Sequence, residues 1–559
     1  MATSVCKSYI SDTSYNFKDN IYLIQQFFIN SNTGRQHEII DTLRRNTDLE
    51  HITKIFLLNE KIYTQKELGV NDKQMTKIQQ ININKRLTFK DVFTFPSKKK
   101  LKGYIIFSNS DIFFDKTIKN LYTTPLATEK TFISQLRFEF NPTERFLQKS
   151  KLFTEWLSFA QDTWIYHTHF QPSIDIVNKI FDIPFGKPGC DNKLIYLMKI
   201  QGYNIINNPY LIKTYHNHYT QLREYTQSDR IQPPYLRCIP ELPKNFNMHC
   251  LEIDKRESIY LNQSNMGERF DMVGENNILY NYISDKIIKN NIFIIPRIAG
   301  VENNLIHKVA TNSITQNFIN RVLPVMKRNA GILFNTTESL IEYSKRYIDA
   351  FSKCDTYFDW EKWGDVYKYI SNSHDFITNN ICVNKQPIWA FSLDIFNSIK
   401  YTPWTTSLKG KRILIVSPFI KSMKSKLSIL HKIYDIDLFP ECEFVFIKPP
   451  QTQGDNSSRG WLDEINEFCL ELDKLGDKYD IALVSAGGYG NLICGEIFNR
   501  GKSAIYVGGV LQMYFGIIGN RWEVERPDII KMYMNKYWTR PNGDEKPKNH
   551  TNIENSCYW

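Results

Sequence analysis

Short apolar runs alternate along this chain with segments whose apolar residues recur at helical spacing. Ile21 to Phe28 ("IYLIQQFF") reads as a strand, and Arg35 to Arg45 places Ile39, Ile40 and Leu43 on one helical face. Lys54 to Leu58 ("KIFLL") reads as a second strand. Strand, helix, strand in this order predicts a parallel crossover. Tyr104 to Phe107 continues the series, and Leu136 to Phe140 adds a further strand. A mixed stretch follows from Asn247 to about Pro403, with an apolar strand at Ile292 to Ile295. The rhythm then returns: strands at Arg412 to Val416, Phe444 to Ile447, Asp480 to Val484 and Ser503 to Val507, with helices at Trp461 to Leu475 and Asn491 to Arg500 ended by Gly476 and Gly501.

No period of 20 to 50 residues is present, which excludes solenoids and propellers. Four prolines between Ile231 and Phe246 discourage both helix and central strand, so the main boundary falls there. The predicted fold class is α/β, with two Rossmann-like, mostly parallel-sheet domains at residues 1–240 and 256–559 and a linker at 241–255.

Composition supports folded domains. The 559 residues are 42% hydrophobic, 23% charged and 14% aromatic, an ordinary globular balance that argues against global disorder. The net charge of +11 favours anionic partners, nucleotides and acidic headgroups among them. Nucleic-acid binding would rest on that charge alone, since no binding module accompanies it. The densest basic run, Lys98 to Lys102, reads as a solvated loop, with a phosphate or membrane-surface contact as the alternative. The ten cysteines are scattered without CxxC pairs, which suits a reducing compartment and a cytoplasmic location. The opening "MATSVCKSYISDTSYNF" has no apolar core of signal-peptide length, and no window has the length of a membrane span. Any membrane contact is expected to be peripheral or through a partner.

Candidate chemistry gathers at strand ends. In "YIIFSNSDIFFD" (Tyr104 to Asp115) a strand runs straight into Ser-Asn-Ser-Asp, placing Asn109 and Asp111 where open α/β sheets bind ligands. Asp111 suits a divalent cation that also bridges a nucleotide diphosphate. "YHNHY" sets His216 and His218 on one side of a strand as further metal candidates, the structural alternative being lone packed histidines. Asp191, in the glycine turn "GKPGCDN", suits a general base for an acceptor hydroxyl. Asn59, closing the second strand, joins Asn109 as a nucleotide-contact candidate. In the C-terminal half, Gly487, Gly488 and Gly490 of "SAGGYGN" open a helix, an arrangement that either cradles phosphate or makes a tight turn. Gly508, Gly509 and Gln512 follow the next strand as a second candidate contact, or as plain helix packing.

The N-terminal 240 residues resemble a GT-A type glycosyltransferase: "FSNSD" is similar to a variant of that family's DxD metal motif, with Asn109 replacing the first aspartate, and "GKPGCDN" resembles the turn that supplies a catalytic base in some inverting members. From about residue 256 onward the chain resembles the GT-D type of bacterial glycan synthesis. The carriers are "RIAGVEN" (Arg297 to Asn303), "KGKRILIVSPF", and "DIALVSAGGYGNLICGEIFNRGKSAIYVGG". Gly300 stands where that family's DxE has its aspartate, and Glu302 remains. These resemblances imply glycosyl transfer from a nucleotide-sugar donor to a hydroxyl of a glycan, lipid-linked or protein-linked acceptor. They imply Mn2+ or Mg2+ at the first domain, Arg297 in donor contact and Glu302 in a catalytic role. The alternative is a carbohydrate- or nucleotide-sugar-binding scaffold with one or both sites degenerate.

Overall fold

The computed structural model describes residues 19–559 apart from 143–146, 155–156, 158–159, 223–224, 243–271, 361–371, 455, 548 and 554–555. It divides into two compact units, Met1–Gly267 and Glu268–Trp559. Most of the expected linker lies outside the described residues. Both units are α/β with mostly parallel sheets.

In the first unit the strands are β1 (Asn20–Gln25), β2 (Lys54–Asn59), β3 (Ile78–Asn82), β4 (Gly103–Ser108), β5 (Ile112–Phe114), β6 (Thr131–Leu136), β7 (Phe138–Glu139), β8 (Lys151–Leu152), β9 (Gln161–His167), β10 (Asn204–Ile206) and β11 (Thr214–His216). Seven form one sheet in the order β10-β6-β9-β4-β1-β2-β3. Its β4-β1-β2-β3 side is parallel, and β9 runs antiparallel to both β4 and β6. β4 is buried along its whole length, which explains its unbroken apolar run: a strand covered on both faces has no solvent side to mark with polar residues. The crossover between β1 and β2 is the helix α1 (Thr33–Asp48), begun by Asn32, whose side-chain oxygen accepts from Arg35 N.

A second, four-stranded sheet has the order β5-β11-β7-β8. The expected single strand at Leu136 to Phe140 is instead a step between the two sheets. β6 ends at Leu136 with a register shift, Arg137 turns the chain, and β7 joins the smaller sheet beside β11. β1 stops at Gln25 because Phe27 N donates to the Asn59 side chain at 2.8 Å instead of continuing the ladder. Lys98 and Lys99 are not loop residues; they form the last turn of the helix Phe89–Lys99, where cations complement the negative helix end.

The second unit has a five-stranded, all-parallel sheet in the order β12-β18-β17-β15-β16, built from β12 (Ile294–Ile295), β15 (Arg412–Val416), β16 (Glu443–Ile447), β17 (Ile481–Val484) and β18 (Ser503–Tyr506). The short strands β13 (Phe358–Asp359) and β14 (Ile388–Trp389) pair separately. Helices Thr337–Ser352, Trp461–Asp473 and Gly490–Asn499 pack Tyr343, Tyr347, Trp461 and Ile493 into one core, all of them at most 1% exposed. Among the described residues no helix is long and apolar enough to cross a membrane.

Candidate functional site

One turn and two backbone registers assemble the site of the first unit. The chain leaves β4 at Ser108, turns through Asn109 and Asp111, and re-enters the small sheet as β5. β11 pairs with β5 so that His216 lies opposite Ile112, and pairs with β7 so that His216 also lies opposite Glu139. Two carboxylates therefore flank one imidazole. The turn is pinned from below: Gln25 Nε2 donates to Ser108 Oγ, Asn109 O and Ile112 O at 2.9 to 3.1 Å, and Asn217 N donates to Asp111 O at 2.8 Å.

Asp111, His216 and His218 each offer one ligand atom, all within 4.8 Å of one another. His216 Nε2 is 3.4 Å from Asp111 Oδ2, and its Nδ1 is 3.0 Å from Glu139 Oε2. Burial and Arg137 act to lower the His216 pKa, but Asp111 and Glu139 outweigh both and hold it at about 9. Burial likewise opposes ionisation of Glu139 and Asp111; the cationic neighbours prevail, keeping Glu139 at about 2 and Asp111 well below the usual carboxylate range. His218 behaves differently. Burial and the nearby Arg35 charge depress its pKa, so it is neutral near pH 7. Its Nε2 lies 2.9 Å from the carbonyl of Leu222, a pure acceptor, which assigns the ring proton to Nε2. The Nδ1 lone pair then faces Asp111 Oδ2 at 3.6 Å with no proton between them.

That arrangement fits a cation. Asp111 Oδ1 is buried without a hydrogen-bond partner, and both imidazoles have their far nitrogens oriented by an oxygen, as metal-ligating histidines characteristically do. Two imidazoles and one carboxylate suit a first-row transition ion such as Mn2+ better than Mg2+, which prefers oxygen throughout. His216 must release its Nε2 proton to serve as a ligand, while its Nδ1–H stays on Glu139.

The same network extends toward Asp191. Glu139 accepts from Arg137 Nε at 2.7 Å, Arg137 also pairs with Asp162, and Asp162 Oδ1 accepts from Asn109 Nδ2 at 2.7 Å. Asp191 stands in the first turn of the helix Cys190–Ile200, begun by Gly189 at φ +78°, a left-handed conformation that favours glycine. Burial, with the Asp162 charge adding to it, pushes the Asp191 carboxyl up to about 7, against backbone hydrogen bonds that favour ionisation. A carboxyl titrating near neutrality is matched to general-base work. Asn109, Asp111, His216 and His218 thus share one polar neighbourhood, with Asp191 joined to it through the charge of Asp162, although His218 lies beyond the end of β11 and not on it. Asn59 is occupied elsewhere: its amide holds Phe27 N and Gln80 Oε1. Arg35, Glu38, Arg137 and Glu139 are the participants that local sequence pattern did not single out. Only the i,i+3 spacing of Arg35 and Glu38 on α1, with their 2.9 Å contact, leaves a trace in the sequence.

In the second unit Arg297 follows β12. Its guanidinium carbon lies 4.5 Å from the Tyr506 ring centroid, and Nη1 donates to Val507 O at 3.0 Å. A Cβ at Gly508 (φ +78°) would lie 2.3 Å from Arg297 Nη2. Glu302, in the first turn of the helix Gly300–Ala310, is buried, and its charge raises the pKa of Tyr343, Tyr347 and Tyr506, whose larger cause is burial. The glycine turns are packed by this chain's own side chains. A Cβ at Gly490 would meet the Tyr506 ring at 2.3 Å, one at Gly488 would meet Ile332 at 2.6 Å, and one at Gly487 would meet Gln453 Nε2 at 2.6 Å. Tyr558 covers Gly509, and Gln512 Nε2 donates to Ile517 O and Tyr558 O.

No family model and no curated protein matches this chain. Among solved structures it is similar to the mannosyltransferase PcManGT from Pyrobaculum calidifontis, in complex with GDP-Man and Mn2+, at 9% identity and a TM-score of 0.25, covering 38% of this chain and 61% of that one, under two thirds of its length. It is also similar to a glycosyltransferase (DUF1792) from Streptococcus sanguinis, at 14% identity and a TM-score of 0.24, covering 48% of this chain and 94% of that one. A third similarity is to S. aureus TarS, at 11% identity and a TM-score of 0.22, covering 64% and 55% respectively. At this level no residue of those proteins maps onto a residue here, and the reading of the site rests on its geometry.

Proposed function

We propose that this protein is a glycosyltransferase whose first unit moves a sugar from a nucleotide-sugar donor to a hydroxyl of a glycan, lipid-linked or protein-linked acceptor. The observation that carries the reading is the convergence, at the carboxyl end of β4, of a cation-binding trio, Asp111, His216 and His218, with a near-neutral carboxyl, Asp191, which feels the charge of Asp162 in the partly buried polar network beside that trio. A bound Mn2+ would offset charge on the departing diphosphate. Asp111, His216 and His218 would hold it, with Glu139 and the Leu222 carbonyl fixing the two rings. Asp191 accepts the acceptor hydroxyl proton as that oxygen bonds to the anomeric carbon, and the bond from that carbon to the phosphate oxygen breaks with its electron pair leaving on the nucleoside diphosphate. Asn109 keeps Asp162 in place beside this base.

The proposed domain assignment is GT-A-like for residues 1–240 and GT-D-like for 256–559, in a cytoplasmic, reducing setting. For the second unit a specific observation favours the scaffold reading: Tyr506, Ile332, Gln453 and Tyr558 fill the positions around its glycine turns. Donor contact there through Arg297, Gly487, Gly488, Gly490, Gly508, Gly509 and Gln512, with Glu302 as an acid or base, is the alternative, and at Gly509 it requires Tyr558 to move. The test is transfer and hydrolysis across a panel of nucleotide sugars, with and without Mn2+. The expected result is Mn2+-dependent turnover lost in Asp111→Asn and Asp191→Asn and kept in Glu302→Gln. Absence of turnover with every donor sinks the enzyme reading, and loss in Glu302→Gln moves the chemistry to the second unit.

A further inference from the structure

Asp111 already has a cation. Arg35 Nη2 lies 2.5 Å from Asp111 Oδ2, while Nη1 lies 2.9 Å from Glu38 Oε2 and 3.4 Å from Asn217 O. Both ion-paired side chains are at most 9% exposed, so solvent screens the contact little. Asp111 Oδ2 therefore carries a guanidinium and faces both histidines, while Oδ1 of the same carboxylate is buried and unpartnered. We propose that Arg35 is a gate on the cation site: its guanidinium and a divalent ion compete for Asp111, so the site is held closed by a resident side chain until a stronger claim on the carboxylate, or another partner for the arginine, arrives.

The surroundings suit a side chain that leaves. Glu38 keeps other donors when Arg35 moves, since Thr220 N and Thr220 Oγ1 reach it at 2.7 and 3.0 Å. The Asp111 backbone is held independently of Arg35, because its carbonyl accepts from Asn217 N at 2.8 Å. Arg35 itself sits in the first turn of α1, with its backbone held by the Asn32 cap at 2.9 Å, so only the flexible stem and fork need swing. A positive charge this close to the ligand oxygen opposes a second, divalent one directly through Coulomb repulsion. The ligand class able to release the gate is a diphosphate, which offers a guanidinium bidentate acceptors as good as a carboxylate. On the glycosyltransferase reading, with which this inference shares the cation trio, cation and donor would then enter together.

The test uses Mn2+ alone, with no donor present, titrated into the full chain at pH 7.5 and read from the free-ion electron paramagnetic resonance signal. Arg35→Gln removes the competing charge and is expected to tighten Mn2+ binding at least about tenfold, whereas Asp111→Asn abolishes it. Arg35→Met, which keeps the packed stem, is expected to behave as Arg35→Gln does and serves where Gln impairs cooperative melting. Arg35→Lys keeps the charge and is expected to stay within about threefold of the unsubstituted protein. Mn2+ binding that is unchanged or weaker in both charge-removing variants overturns the gate while leaving the cation site standing. Absence of Mn2+ binding in every protein overturns both. A purely structural arginine gives the opposite sign, since loosening the site weakens its ligands.

Discussion

Asp191→Asn separates the catalytic and the structural consequences of one partly buried carboxyl. The ordinary aspartate value is 3.8, and burial beside Asp162 lifts this one to about 7. If Asp191 is the base, only its ionised form works, so kcat/KM falls tenfold per pH unit on the acid side. At pH 5, about two units below its pKa, about 1% of the carboxyl is ionised and the rate is down about a hundredfold. Asp191→Asn removes the base and is expected to lower kcat by about 10² to 10⁴, with the remaining activity insensitive to pH between 5 and 8. Stability moves the other way. Because the folded-state pKa lies above the ordinary value, the native protein binds this proton more tightly than the unfolded chain does. Its contribution is fully present below about pH 4 and is lost as pH rises through 7. The difference of about three units corresponds to up to about 4 kcal/mol that ionising this partly buried group costs. The neutral amide avoids that cost, so Asp191→Asn should melt several degrees higher at pH 8 and no higher at pH 4. Differential scanning calorimetry at the two pH values, beside initial transfer rates from pH 5 to 8.5, reads both. An unchanged pH profile, or a variant keeping more than a tenth of the activity, refutes the base assignment. An equal melting shift at both pH values refutes the raised pKa.

Chelation with EDTA should stop transfer, with Mn2+ restoring it at lower concentration than Mg2+ because two of the three ligands are imidazoles; preferential rescue by Mg2+ would point to an all-oxygen site elsewhere. Arg137→Met leaves Glu139 and Asp162 without their shared guanidinium and should destabilise the first unit by about 1 to 3 kcal/mol in urea unfolding, less than for a fully buried pair because Glu139 is 40% exposed and keeps water; an unchanged unfolding curve would show that the guanidinium contributes no net stability. Gly508→Ala and Gly410→Ala have similar φ, +78° and +72°, yet only the first new methyl would meet Arg297, the second facing open space. Both should destabilise, Gly410→Ala by about 1 kcal/mol of backbone strain and Gly508→Ala by more, and equal losses in urea would mean that the Arg297 fork gives way freely.

The parts legible in the sequence are those set by local periodicity. Buried parallel strands such as β4 and β15 announce themselves as unbroken apolar runs, and Asp111 stands out because a polar turn after such a run falls where sheets bind ligands. The histidines are visible as a pair, but their function depends on β11 lying between β5 and β7, a pairing of segments about a hundred residues apart that no periodicity encodes. Arg35 and Glu139 stay hidden for the same reason: each looks like an ordinary charge on a helix or short strand until the registers place them around Asp111 and His216. The glycine turns show the converse difficulty. Spacing reveals that a side chain is missing at Gly490 and Gly509, and a missing side chain leaves room for a phosphate or for a neighbouring ring. Tyr506 and Tyr558 take up that room here, one from the next strand and one from nearly fifty residues onward. Two motifs of equal promise at the level of spacing therefore differ in kind. The turn after β4 keeps an unpartnered carboxylate oxygen and an unprotonated imidazole nitrogen facing the same carboxylate, which is unfilled chemistry, whereas the turn after β17 has its empty space taken by the chain itself.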